Sequence, residues 1–413
     1  MEIDLDANFP RYEEHDAQVP CWCITPQTPR CMHRWFDTSP ISPSAQYVAL
    51  TRIPQEDRDP RPGEPAWVEL IDLERGEELE IAETQAWDTQ LGACVQWGES
   101  DRQLIYNRID TERWEPYGVI RDPFSQKEDH FDSPIYAITS DGWTAASPAM
   151  IRTGMEEPGF GVRVPEKYLP DFGNAREIMR NDGIWITDLA TNESRLLASF
   201  DDIRNQALDA EVYRNGVFFA YHLQWNRQDT QLMAMLRFFD ASDERVRHNV
   251  ITMMRDGSEI RSAVPDEHSG VGLCYPSWHN DGRHLLTNLR LEGEVKRLAQ
   301  VRDDGANLGI VTDEFEASGH PSVHPDGRIV AMDASYYEDV ADEGIVPIRL
   351  IDIESGHAET ILRIRTKGQY EGRRDDMRVY PQPAWGPDGE WLIFNAWPDG
   401  HRRVYIADCS EFV

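Results

Sequence analysis

The chain is poor in lysine. Of its 41 basic residues only Lys127, Lys167, Lys296 and Lys367 are lysines, and they face 74 Asp and Glu, giving a formal charge of −33. A surface so short of cations has no basic stripe with which to neutralise phosphates, which argues against nucleic acid and anionic membranes as partners. Acid excess with arginine in place of lysine is the composition expected of a halophilic source, where salt screens self-repulsion. Cysteine is scarce too, six residues in 413, with Cys21, Cys23 and Cys31 crowded together. That is no disulfide framework for so long a chain, and it agrees with a reducing compartment. No apolar run approaches the roughly 18 to 20 residues a spanning helix needs. The start, Met1-Glu-Ile-Asp-Leu-Asp, lacks a basic stretch followed by an apolar one, so the expectation is a cytoplasmic protein.

What is present is a hydrophobic content of 40% with 13 Trp and 14 Tyr, too rich for disorder. A chain of this length folds around two or three ordinary cores or one large repeat core. Internal repeats decide between them. Tyr275-Pro-Ser-Trp-His-Asn-Asp-Gly-Arg is followed by His320-Pro-Ser-Val-His-Pro-Asp-Gly-Arg and by Gln382-Pro-Ala-Trp-Gly-Pro-Asp-Gly-Glu. Each reads as a short strand, an Asp-Gly turn and a second strand, because the Asp-Gly pair supplies the positive φ of a tight hairpin. Weaker copies start at His222, Ile135, Cys94 and Thr38, making seven.

Third and fourth strands follow, as in Trp67-Val-Glu-Leu-Ile-Asp-Leu and Ile348-Arg-Leu-Ile-Asp-Ile-Glu. Four strands per unit, seven times over, predict an all-β fold, a seven-bladed β-propeller of four-stranded antiparallel blades spanning 1–413 as a single domain. The seventh unit runs out three strands in, at Arg403-Val-Tyr-Ile-Ala-Asp-Cys409, so residues within roughly the first 25 are expected to add the fourth strand and close the ring. The segment from Met155 to Asp182 breaks the period of unit three and reads as an insertion, loop or short helix. Glu338 to Gly344 and Arg363 to Arg378 are smaller candidates.

In a propeller the innermost strand of each blade starts at the rim of a central funnel. The residues at that position are Thr38, Cys94, Ile135, His222, Tyr275, His320 and Gln382, with His268 and Cys274 just upstream in unit five. Imidazoles, a thiolate and an amide oxygen converging on one mouth suit a divalent transition metal such as Zn or Mn, with His222, His268, Cys274, His320 and Gln382 as ligands. The alternative is a rim of polar residues bonded to one another and to water, since no linear motif such as His-Glu-x-x-His stands behind the set. His279 and His324 fall at the turns and read as turn hydrogen-bonders. Trp97, Trp225, Trp278 and Trp385 read as inter-blade packing. Cys21-Trp-Cys23 with Cys31-Met-His33 is too tightly spaced for a four-ligand zinc site. His33, Arg34 and Asp37 approach the same funnel mouth.

The repeats resemble the Tol-type propeller repeats with the pattern Pro-x-Trp-Ser-Pro-Asp-Gly. More narrowly, His33-Arg-Trp-Phe-Asp-Thr-Ser-Pro-Ile-Ser-Pro-Ser, Leu91-Gly-Ala-Cys-Val-Gln-Trp-Gly and the funnel histidines resemble the seven-bladed polysaccharide lyases, the oligogalacturonate and ulvan lyases. That resemblance implies β-elimination at a uronic acid. A His or Tyr takes the proton at C5, a metal or Arg neutralises the carboxylate, and the C4 oxygen leaves. It assigns Tyr275 or His33 as base or acid, Arg34 as the carboxylate clamp, and the histidine set as the metal site. Cys94 departs from the pattern, standing where the ulvan type carries a histidine.

The expected function is therefore a metal-assisted lyase acting on an anionic oligosaccharide. A non-catalytic propeller that binds a carbohydrate or protein partner is the alternative. A glycoside hydrolase fits less well, because no rim position offers two acids. For an anionic substrate to be accepted, the negative charge has to lie on the outer strands, at residues such as Glu69, Asp72, Glu74 and Glu77, while arginines or a metal make the funnel locally positive.

Overall fold

Three Asp-Gly pairs turn the chain where the repeats require it. In the computed structural model Gly282, Gly327 and Gly389 have φ of 69°, 84° and 82°, a region open to glycine at no steric cost. The structure describes residues 3–15, 17–157, 159–171, 173–240, 246–268, 273–291, 293, 295–334, 344–367 and 377–413. The candidate stretches Glu338 to Gly344 and Arg363 to Arg378 fall largely outside these residues.

The hairpins build seven four-stranded antiparallel sheets, arranged as the blades of a β-propeller. Blade one comprises Cys31–Met32, Tyr47–Arg52, Ala66–Asp72 and Glu77–Thr84, and blade two Gln96–Trp97, Leu104–Asp110, Glu115–Arg121 and Glu128–Phe131. Blade three holds Ala137–Ile138, Thr144–Ser147, Gly183–Asp188 and Glu193–Ser199, and blade four Gly216–Trp225, Gln231–Asp240, Val246–Met254 and Arg261–Ser262. Blade five is Cys274–Trp278, His284–Leu289, Arg297–Arg302 and Gly309–Thr312. Blade six is Pro321–Val323, Ile329–Asp333, Ile345–Asp352 and Ala358–Arg365. The seventh sheet runs Ala384–Trp385, Trp391–Ala396 and Arg403–Asp408, and its fourth strand is Cys21–Cys23, paired antiparallel with Cys21 opposite Ala407.

Two side-chain devices join neighbouring blades. The first uses tryptophan: Nε1 of Trp97, Trp278 and Trp385 donates to the carbonyls of Pro40, Gln224 and Ser322 on the preceding inner strand, at 2.8, 3.0 and 3.1 Å. These indoles are buried and serve packing, as their repeat position predicts. The second, seen in five blades, uses a polar residue near the end of the second strand, which reaches the backbone at the start of the next blade. Thr51 Oγ1 accepts from Ala93 N, Asn107 bonds both N and O of Ile135, and Asn288 donates to Gly319 O. Asp333 accepts from Gln382 N at 2.8 Å, and Asn395 accepts from His33 N at 3.1 Å. Buried backbone groups at the strand starts are satisfied this way, which fixes one blade against the next.

Between the second and third strands of blade three lie helices Met150–Glu156 and Ala175–Asn181, the latter opened by an Asn174 and Glu177 capping box. The first helix packs closely on the returning chain. A Cβ on Gly161 would meet Met150 O at 2.4 Å, so only glycine fits there. This connection brings Phe160 to the axis of the propeller.

Candidate functional site

The first blade departs from the repeat. Its inner strand is split: Cys31–Met32 pair with Arg52 and Thr51, and the ladder resumes only where Ile41 bridges to Val48. The residues between, His33 to Ser39, leave the sheet and cross the central channel. Trp35 and Phe36 are the plug of that channel, 3% and 1% exposed. Trp35 packs on Phe160, His222 and His320 with ring centroids 5.5 to 5.9 Å apart, and Phe36 packs on His222, His320 and Tyr275 at 5.2 to 6.4 Å. Thr38 therefore does not occupy the rim position expected from its repeat. That place belongs to His33, whose N–H is held by Asn395 just as Gln382 N is held by Asp333.

Three histidines gather around the plug, and each is committed differently. His222 places Nε2 2.8 Å from Asp37 Oδ2, with both side chains almost fully buried. Burial works against the Asp37 carboxylate, yet the His222 bond and the nearby Arg34 hold it below the usual carboxylate range. His33 Nε2 donates to Pro381 O at 3.3 Å and its Nδ1 has no partner among the described residues. Burial pulls His33 down to about 4, and His320 adds to the effect, so the ring is neutral near pH 7.

His320 is the most distinctive of the three. It is fully buried, its Nδ1 lies 3.0 and 3.1 Å from the two oxygens of Asp333, and its backbone N–H donates to the same carboxylate at 2.6 Å. Its Nε2 is left without a partner among the described residues. A carboxylate behind one ring nitrogen fixes the tautomer and the ring's orientation, which leaves Nε2 as the nitrogen carrying the lone pair. The Tyr275 ring lies against the imidazole at a centroid distance of 3.9 Å, and Tyr380 at 5.5 Å. Burial pushes the Tyr275 phenol well up, so it stays protonated. Arg378 sits 5.5 Å from the Tyr380 centroid and is partly exposed. Cys94, Tyr275 and Gln382 share a further property, positive φ of 56°, 54° and 50° at equivalent starts of inner strands. Such conformations cost about 1 to 3 kcal/mol each and persist where surrounding structure over-determines them.

The remaining expected residues are placed as follows. Arg34 is buried and stacks 4.8 Å over Tyr136, and its guanidinium donates to Gln96 Oε1 and Thr38 Oγ1, so it braces the plug against blades two and three. Cys94 is fully buried and its thiol is pushed up to about 12. Cys274 is partly exposed, with Lys296 Nζ 3.9 Å from its sulfur. His268 lies in the short turn Asp266–His268, and nothing there ties it to the other histidines. His279 and His324 are turn hydrogen-bonders, as their repeat position predicts: Nε2 donates to Gly327 O and Gly389 O of the next blade. Cys21 and Cys23 belong to the seventh blade and Cys31 to the first, in separate hydrophobic clusters.

Asp333 and Arg378 were not singled out from the sequence. A signal for Asp333 existed, since six residues after the turn glycine units five, six and seven carry Asn288, Asp333 and Asn395. A carboxyl where its counterparts are amides marks the blade whose second strand bonds its neighbour's backbone and a histidine ring at once.

No protein-family model matches the chain. An uncharacterized protein of Agrobacterium fabrum is 28% identical over 122 residues, 29% of this chain, and the chain spans 38% of that relative's length. An oligogalacturonate lyase solved in complex with manganese superposes with a TM-score of 0.65 at 15% identity, over 97% of this chain and 96% of its own. A second, from Vibrio parahaemolyticus, superposes at 0.66 with 14% identity and the same coverage. The fold is that of the oligogalacturonate lyases. At these identities the likeness is one of architecture.

The manganese of that neighbour tests the residues present. His320 Nε2 is an open nitrogen and Gln382 stands beside the same Asp333, but His222 Nε2 is taken by Asp37 and His268 is not brought in. Among the described residues no group of three or more His, Cys, Asp or Glu is arranged to hold a metal ion. The expected five-ligand set is thus not assembled, because the plug residues occupy the axis and Asp37 claims the second imidazole.

Proposed function

We propose that the chain is a carbon–oxygen lyase that cleaves uronate-containing oligosaccharides by β-elimination, with His320 as the base. The observation that supports it is the buried His320–Asp333 pair with an unpartnered Nε2, set in a propeller whose fold is shared with oligogalacturonate lyases. In this reading His320 Nε2 takes the proton from C5, the C–H electrons form the C4–C5 double bond, and the C4–O bond breaks. Tyr275, kept protonated by burial, supplies a proton to the departing oxygen. Arg378, whose side chain pairs with no described carboxylate, neutralises the uronate carboxylate so that charge can build beside it. No step is assigned to a metal ion.

A second reading is favoured by the plug. Trp35 and Phe36 cover His320 completely, as in a propeller that binds a glycan without cleaving it. Incubation with trigalacturonate separates the two. Elimination produces a conjugated uronate that absorbs in the ultraviolet, and His320→Ala or Asp333→Asn should lower that rate by roughly 10²-fold or more. Binding of trigalacturonate with no absorbing product would overturn the lyase reading and leave the binder.

A further inference from the structure

A cavity lies on the side of the plug opposite the strand starts. It has a volume of about 500 Å³, with Phe36 and Asp37 among its lining residues, and its walls include the ends of the inner strands at Trp225, Trp278 and Trp385. This size accommodates a mono- or disaccharide. We infer that this cavity is a binding site for a neutral, hydroxyl-rich ligand of the hexose class. The inference does not rest on the lyase reading.

The chemistry of the wall carries it. In a chain with a charge of −33, Asp37 is the one acid among the described residues that line the cavity, and it is already paired with His222 and Thr38. The one arginine, Arg227, sits exposed at the rim and donates to Pro325 O. Asp37 is thus neutralised within the protein, and the one cation lies out at the rim, so the wall itself offers no free counter-charge. It does offer hydroxyls: Ser277 and Ser322, at matching positions in blades five and six, are 2% and 5% exposed and their Oγ atoms bond no described residue. Each hydroxyl both donates and accepts, as sugar hydroxyls require.

The tryptophans point the same way. Trp225, Trp278 and Trp385 all line this cavity, and the last two satisfy Nε1 on the preceding blade, which leaves their ring edges as its apolar wall. Two unmet hydroxyls beside three indole edges combine hydrogen-bonding capacity with apolar surface for the C–H faces of a pyranose.

Saturation-transfer NMR with D-galactose, and competition by D-galacturonate, tests the site on the whole protein. The expectation is saturable galactose binding in the millimolar range, with galacturonate weaker by on the order of tenfold in competition, because its carboxylate would be desolvated in a wall whose one arginine lies out at the exposed rim. Ser277→Val combined with Ser322→Val should weaken galactose by a similar factor while the circular dichroism spectrum is unchanged. If the double variant does not fold, Ser322→Ala is read by the same rule. No saturable binding, undiminished binding in a folded variant, or equal competition by galacturonate would each overturn the assignment. The readout is binding, so it stands or falls separately from elimination activity.

Discussion

Acidification should destabilise this protein through His33 in particular. The ring is fully buried, keeps one bond to Pro381 O, and is pulled from the ordinary histidine value of 6.5 to about 4, chiefly by burial. A histidine with a depressed folded-state pKa adds stability that is complete above the unfolded value and is lost as pH falls from there through the folded value. The window is therefore about pH 6.5 down to 4. At about pH 4.5 the unfolded chain has taken its proton and the native ring mostly has not, a difference of roughly 2.5 kcal/mol at 1.36 kcal/mol per pKa unit. His33→Gln retains a donor for Pro381 O and cannot titrate. Urea unfolding at about pH 7.5 and 4.5 gives each protein's loss on acidification. The native chain should lose about 2.5 kcal/mol more than the variant. His248, also pulled to about 4, is present in both and cancels in the double difference. Equal losses within about 0.5 kcal/mol would refute the claim that His33 is held neutral by burial.

Thiol reagents should modify Cys274 first in the native protein, since it is the partly exposed cysteine among the six and the others are buried; mass spectrometry of the labelled site checks this, and early labelling at Cys94 would contradict it. Asp37→Asn should cost about 3 kcal/mol in chemical unfolding, because it breaks the buried pair with His222. Phe36→Ala should cost roughly 3 to 5 kcal/mol and open the channel, so that Cys94 becomes reactive in the folded variant. Gly319→Ala should give little soluble protein, since the new Cβ would lie 1.7 Å from Asp333 O.

The propeller was legible because its signals are local. Each Asp-Gly turn and its two flanking strands lie within about a dozen residues, and the turn fixes the register. The site was less legible because it depends on where one repeat fails. The register of Thr38-Ser-Pro-Ile-Ser-Pro-Ser placed Thr38 at the rim, but seven residues of the first inner strand leave the sheet, so His33 takes the rim and Trp35 and Phe36 fill the axis. Nothing in the local spacing reports that excursion; it is decided by burial of two aromatic rings among blades three to six. Asp37 was noted as near the mouth, whereas its pairing with His222 spans 185 residues and required the fold. The fate of Arg34 was hidden for the same reason, since Gln96 and Tyr136 reach it from other blades.

The ties from second strand to next blade have a consequence for how the chain is made. Synthesis is vectorial, and each tie from Thr51 to Ala93 or from Asn107 to Ile135 can form soon after its partner leaves the ribosome. The tie to His33 is different: its acceptor, Asn395, lies 362 residues downstream. Until it emerges, the base of the plug hangs from a blade without its neighbour, and Trp35 and Phe36 have no finished channel to fill. The nascent protein thus carries its central aromatic residues uncovered through most of translation, which makes His33 to Ser39 the segment that a chaperone would have reason to hold.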